Sequence, residues 1–238
     1  MPKFDIKRIT FLYFVFFFFL FNFTPIPNYV YIFAAIAYLI IPIYGSLNIR
    51  LNLYVKSVSR FEDRQDNVVL TFNLNENVSN IADLLDTLKE CNIQAIFFCT
   101  GNFLINNRKI AERINSEGHI IGNHSMSYSK KFGFYSASKL IGNLKQTEQL
   151  IYEITKNKTK YFRPPFGVTN PSVKKAVLKL DYSVIGWRFR FSDKRLDSIK
   201  FLERIHKKIK NGDIIIIEFK SETDWKNICK FVKKQNKL

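Results

Sequence analysis

A chain of 238 residues with 47% hydrophobic side chains holds enough apolar material for one core and an appendage, which excludes disorder as its overall state. Its formal net charge of +17 divides into +3 over the first 50 residues (Lys3, Lys7, Arg8 and Arg50 against Asp5) and +14 over the remainder, so the globular part is itself basic. Such a balance suits anionic lipid headgroups, although a compositional bias toward Lys, Asn, Ile and Phe produces it too; without a helix-turn-helix pattern or an aromatic RNA-binding motif, no nucleic acid partner is expected.

From Ile9 to Tyr44 no residue is charged. Two apolar blocks, ITFLYFVFFFFLFNF (9–23) and YVYIFAAIAYLIIPIY (29–44), are separated by TPIPN, whose two prolines make a poor helix and a good turn. As helix each block spans roughly 22 Å, slightly short of a ~30 Å hydrocarbon core until its flanks are added. The pattern predicts a transmembrane hairpin over 1–50, with a single anchor or a cleaved signal peptide as the alternatives. No small-residue cleavage pattern follows the first block. Lys3, Lys7 and Arg8 before the blocks and Arg50, Lys56 and Arg60 after them place both ends in the cytoplasm if two spans form; a single span reverses the domain. The expected location is a bacterial inner membrane, multi-pass, with membrane lipid as one partner.

A basic connector (51–66) leads into alternating strand-like and helix-like segments over 67–238. The strands read NVVLTFN (67–73), IQAIFFCTG (93–101), HIIGNHS (119–125), KYFRPPFG (160–167), YSVIGWRF (182–189) and DIIIIEF (213–219). Helical stretches are expected at 79–90, 106–116, 136–155, 171–180, 198–210 and 222–234. Repeated β-then-α units imply parallel strands with helices outside, as a barrel or a doubly wound sheet. Cys91, Cys99 and Cys229 form no CxxC pair and are expected to be small core residues.

In chain order the strand ends TFNLNEN, GNHSMSYS, FRPPFG and GWRFRFSD, followed by DIIIIEF, resemble the polysaccharide deacetylase family, the NodB homology domain of carbohydrate esterase family four, in its membrane-anchored bacterial form. The resemblance implies a distorted (β/α) barrel and a hydrolase that removes acetyl groups from N-acetylated envelope or lipid-linked glycans with a divalent metal, often zinc. It also implies roles. The family motif TFDDG stands here as Thr71, Phe72, Asn73, Leu74 and Asn75, so the general base has become Asn73 and a metal ligand has become Leu74. Of the HxxxH ligands, His124 is kept and Tyr128 replaces the second. Arg163, whose family counterpart holds the catalytic aspartate, lies in a fully matching RPPFG; Arg190 and Asp193 match the GWxxRxxD motif. Glu218 stands near the position of the general acid histidine.

These substitutions predict a degenerate site. A catalytic divalent ion needs about three protein ligands and an open position for water, and a lone imidazole does not supply them. No cofactor is expected unless a divalent metal such as zinc finds a rebuilt site. An amide at Asn73 cannot take the proton that a general base takes, a loss of about 10² to 10⁴ in rate. Phe166, Trp187 and Tyr128 remain at the mouth and are able to stack on a sugar. Two readings of the acidic residues stay open: Glu218 and Asp193 share a proton as a rebuilt acid beside Arg163 and Arg190, or one arginine simply pairs with Glu218. Function is thus expected either as a non-hydrolysing glycan or glycolipid binder or as a deacetylase with a non-standard site.

Overall fold

The computed structural model describes residues 6–23, 27–62, 68–78, 80–192, 204–205, 207–218, 225 and 231–232; the expectations at Asp193, and most of the helices at 198–210 and 222–234, lie outside these. Helices α1 (Ile6–Phe23) and α2 (Asn28–Leu47) carry the two apolar blocks. They run against each other, with the Tyr13 and Tyr38 rings 4.5 Å apart and those of Phe17 and Tyr31 6.2 Å apart. Their outer faces, including Phe11, Phe14, Phe18, Ile36, Leu39 and Ile40, are exposed. By length and composition α2 is able to cross a membrane, and α1 contributes a shorter apolar stretch, Thr10–Asn22.

The rest is a curled, all-parallel sheet with helices packed on it, the distorted barrel expected from the sequence. Its strands are β1 (Ser57–Val58), β2 (Val69–Leu74), β3 (Ala95–Cys99), β4 (Ile120–Asn123), β5 (Tyr161–Phe162), β6 (Ser183–Ile185), β7 (Phe189–Ser192) and β8 (Ile214–Glu218), in the order β1-β6-β5-β4-β3-β2-β8-β7. The helices of the domain are α3 (Ile81–Glu90), α4 (Gly101–Asn106), α5 (Arg108–Ser116), α6 (Ala137–Thr155) and α7 (Pro171–Lys179). Covered strands of parallel sheets read as continuous apolar runs, and β3 and β8 are of that kind. Side chains still alternate between two cores. Leu70, Phe72 and Leu74 of β2, with Ile215 and Ile217 of β8, pack with α3 and α5, whereas Val69, Ile214 and Ile216 join the cluster built on α6, α7 and Trp187. Thr100, Ser136 and Asn170 accept from backbone N–H groups as caps of α4, α6 and α7, and Pro171 opens the last, as its position after Asn170 predicts.

Several details depart from expectation. YSVIGWRF is not one strand: β6 ends at Ile185, and Gly186 and Trp187 turn the chain before β7. Within KYFRPPFG only Tyr161 and Phe162 pair, because the two prolines remove ladder donors. Ser57 and Val58, in the stretch read as connector, form the edge strand beside β6. Cys99 is buried and free, but Cys91, at the end of α3, is disulfide-bonded rather than a core thiol.

The passage from α2 into the domain is tied down. Ser46 O accepts from Thr169 N at 2.9 Å, and Ile49 is buried in the cluster that holds Trp187. Asn52 turns the chain at φ 53°, its side-chain oxygen accepting from both N and Oγ of Ser57 at 2.8 Å.

Candidate functional site

The carboxyl ends of β2, β4, β5, β6 and β8 meet, the place where parallel α/β sheets present chemistry. At its centre lies Arg163, fully buried. Its Nε donates to Ile185 O at 3.1 Å, Nη2 to Gly186 O at 3.0 Å, and Nη1 to Thr71 Oγ1 at 2.9 Å and Asn73 Oδ1 at 3.1 Å. The guanidinium lies 4.1 Å over the Phe98 ring. Every one of these partners is neutral, and burial pushes the Arg163 pKa down to about 9, leaving it charged at neutral pH. Asn73 thus keeps the hydrogen bond of the expected base and removes its charge. Leu74 is fully buried on the opposite face of β2, beside Leu70 and Phe72, so the position where the resemblance expects a ligand serves the core.

His124 is also fully buried, and its Nδ1 lies 2.6 Å from Arg163 O. A carbonyl only accepts, so Nδ1 carries the proton and Nε2 presents a bare lone pair; among the described residues no hydrogen-bond partner reaches it. Burial holds the imidazole neutral, with its pKa pushed down to about 3. This is the tautomer and orientation that a metal ligand adopts. The Oγ of the adjacent buried Ser125, a residue in left-handed backbone (φ 67°), also lacks a partner among the described residues.

From this imidazole a line of rings runs outward. The centroid of Tyr128 is 5.5 Å from His124 and 4.1 Å from Phe166, which is 42% exposed. Phe166 is held at φ 58°, a conformation uncommon for a bulky residue and typical of functional loops. Gly167 follows at φ 70°, and a Cβ there would come within 2.7 Å of Trp187 Cη2, so the turn requires glycine. Tyr128 has its pKa raised by burial and secondarily by the charge of Glu218.

The arginine that pairs with Glu218 is Arg190, and both side chains are about half exposed, an ion pair worth little by itself. Strand register sets this: on neighbouring β7 and β8, Arg190 pairs with Ile216, two residues before Glu218 on the same face of β8. Arg163 therefore does not take Glu218 as its counter-ion; buried carbonyls, Thr71 and Asn73 serve instead. Arg190 also lies 5.7 Å from the Trp187 ring. Asn73, Tyr128, His124, Arg163, Phe166, Trp187, Arg190 and Glu218 are thus brought together. Sequence reasoning missed Thr71, Phe98 and Ser125; the i, i+2 spacing of Thr71 and Asn73 along a strand was the available signal for the first.

Among the described residues no three His, Cys, Asp or Glu side chains gather as a metal site. The donors at the cleft are one imidazole, a phenol of raised pKa, an amide engaged by Arg163 and a carboxylate engaged by Arg190, a set that does not fit a catalytic divalent ion. A cavity of about 650 Å³ lies elsewhere, against the amino ends of β4, β5 and β6 beside His119, Lys158 and Tyr161, and it holds none of these residues.

The sequence profile of the polysaccharide deacetylase family matches residues 61–185. The chain is 29% identical over 155 residues to the peptidoglycan-N-acetylmuramic acid deacetylase PdaA of Bacillus subtilis, covering 63% of this chain and 59% of that protein. With a peptidoglycan-N-acetylglucosamine deacetylase of Bacillus cereus it shares 28% over 120 residues, or 50% of this chain and 43% of the other. It therefore spans less than two thirds of the length of these relatives. Among solved structures, a family 4 carbohydrate esterase from Bacillus anthracis superposes with a TM-score of 0.65 at 25% identity, covering 82% of this chain and 86% of that one. A CE4 family pseudoenzyme from the same organism gives 0.65 at 22% identity, covering 79% and 66%, and a mutant of that protein has been crystallised with restored enzymatic activity.

Proposed function

Because this chain belongs to the polysaccharide deacetylase family, we propose that it is a membrane-anchored, catalytically degenerate member that holds an N-acetylated glycan without hydrolysing it. One observation carries the reading: Arg163, buried and charged, is met at the position of the base by the neutral Asn73 amide 3.1 Å away. Water attack on an amide needs a base and an activated water, and Asn73 supplies the first no better than His124 alone supplies the second. Binding survives such losses more easily than chemistry. The Tyr128–Phe166 pair and Trp187 offer flat apolar rings, and the His124 Nε2 and Ser125 Oγ, both without partners among the described residues, offer hydrogen-bond capacity to a sugar hydroxyl or acetamido group. The exposed apolar faces of α1 and α2 supply the anchor, and membrane lipid is the partner of those helices.

The test uses the full chain in detergent micelles or nanodiscs with chitotetraose, measuring binding by calorimetry and released acetate in parallel, with and without added zinc or cobalt. The expected result is saturable binding with no acetate under any metal condition. Metal-dependent acetate release would overturn the reading and make the protein a deacetylase with a rebuilt site.

A further inference from the structure

The anchor enters the domain at the cleft. Ser46, in the last turn of α2, is hydrogen-bonded to Thr169 N two residues after the Phe166–Gly167 turn. Ile49 packs in the Trp187 cluster, and its Cγ2 lies 3.5 Å from where a Gly167 Cβ would stand. The exposed face of α2 runs through Tyr44 to Leu47, its last residue, and only Asn48 separates that end from Ile49. If α2 spans the bilayer, the mouth of the cleft therefore sits at the headgroup level. Three arginines mark the same place: Arg50 follows Ile49, and Arg188 and Arg190 both follow Trp187, the second lying 5.7 Å from its ring. Arg190 is paired with Glu218. Arg50 and Arg188 have no carboxylate within ion-pair distance among the described residues, and both are exposed.

We propose that the ligand is a membrane-embedded amphiphile in which a phosphate joins an N-acetylated sugar to a lipid tail, with Arg50 and Arg188 holding the phosphate. The order of its parts matches the order of the surfaces: sugar at Tyr128 and Phe166, phosphate at the arginines, tail beside the apolar face of α2. Planar guanidinium groups suit phosphate oxygens, and a neutral sugar has no use for two uncompensated cations at the rim. The cations also oppose one another. After burial, the like charges of Arg188 and Arg190 are what lower the pKa of Arg50, a repulsion that a bound anion relieves.

This inference rests on the glycan-binding and anchoring readings above, and the test separates them. The full chain in phosphatidylcholine nanodiscs is titrated with dodecyl-phosphate-linked N-acetylglucosamine, the uncharged dodecyl N-acetylglucosaminide, and chitotetraose. The phosphorylated amphiphile should bind at least about tenfold more tightly than the uncharged one. The double variant R50A/R188A should bring the two amphiphiles to parity while chitotetraose binding stays unchanged, and R50K/R188K should fall between. Parity in the wild type, or a preference that survives in R50A/R188A, overturns the inference and leaves glycan binding standing; failure of all three ligands overturns both. Inorganic phosphate that binds as tightly as the phosphorylated amphiphile would mark a free anion site and overturn the lipid assignment.

Discussion

At 3.1 Å from Arg163 Nη1, the Asn73 side-chain oxygen satisfies a hydrogen bond without neutralising the guanidinium, so among the described residues this buried cation is answered by dipoles and by the Phe98 and Trp187 faces. Charge-assisted hydrogen bonds are about twice as strong as neutral ones. Since the desolvation of Arg163 is already incurred, Asn73→Asp should stabilise the domain by about 1–2 kcal/mol, read as a rise in melting temperature. The same variant should release no acetate, because the base returns without a metal site. His124 supplies the pH dependence. In the unfolded chain an imidazole takes up its proton near pH 6.5, whereas in the fold burial holds it at about 3. Between those values only the unfolded state binds the proton, so stability falls as pH falls below about 6.5, and the loss saturates near 3. At pH 5 it amounts to about 2 kcal/mol. Burial lowers the His119 pKa as well, in the same direction, so part of the slope persists when His124 is removed. H124N, which keeps a donor for the Arg163 carbonyl but does not titrate, should lose about 2 kcal/mol less than wild type between pH 7.5 and 5 in denaturant melts.

On β2, two adjacent substitutions have opposite structural meanings. Asn73 faces Arg163, while Leu74 faces the core with Leu70 and Phe72 and is fully buried. Leu74→Asp should therefore cost about 3 kcal/mol or more, because it buries a carboxylate among apolar side chains. The pair N73D/L74D should melt below wild type and gain no zinc by equilibrium dialysis; zinc retained at one equivalent would show that the strand end rearranges to rebuild a ligand. The strands themselves were legible wherever an apolar run was long, as in β3 and β8, and helix α7 announced itself through Asn170 and Pro171. What escaped depended on spatial neighbours. Strand β1 is two residues long and half polar, β6 and β7 are divided by a turn at Gly186, and the Arg190–Glu218 pair follows from the register of β7 on β8 rather than from any motif. The resemblance singled out residues that the fold brings together, but not that Arg163 would be answered wholly by neutral groups.

Across the whole molecule the sheet must curl for the site to exist, since Asn73, Arg163 and the Arg190–Glu218 pair stand on strands that are not all neighbours. The residues after β1 pull its edge toward β8: Ile214 N donates to Ser59 O at 3.0 Å, Phe61 N to Gly212 O at 2.9 Å, and Arg60 Nε to Asp213 Oδ1 at 2.6 Å. Asp213 is fully buried and also accepts from Lys210 N at 2.9 Å, while Arg60 is about one third exposed. The hydrogen bond with Asp213 is the main cause that raises the Arg60 pKa. This asymmetry of burial predicts an asymmetry of cost. Asp213→Asn removes the buried charge along with the pair and should lose about 1–3 kcal/mol, whereas Arg60→Met leaves a buried carboxylate without its cation and should lose about 3–5 kcal/mol. If the closing contact works as a pair, R60M/D213N will be more stable than R60M alone, a gain that thermal melts of the full chain in detergent will resolve. A double variant that loses the sum of the two single costs would instead mean that Arg60 and Asp213 act independently, and that the backbone bonds from Ser59 and Phe61 suffice to close the barrel.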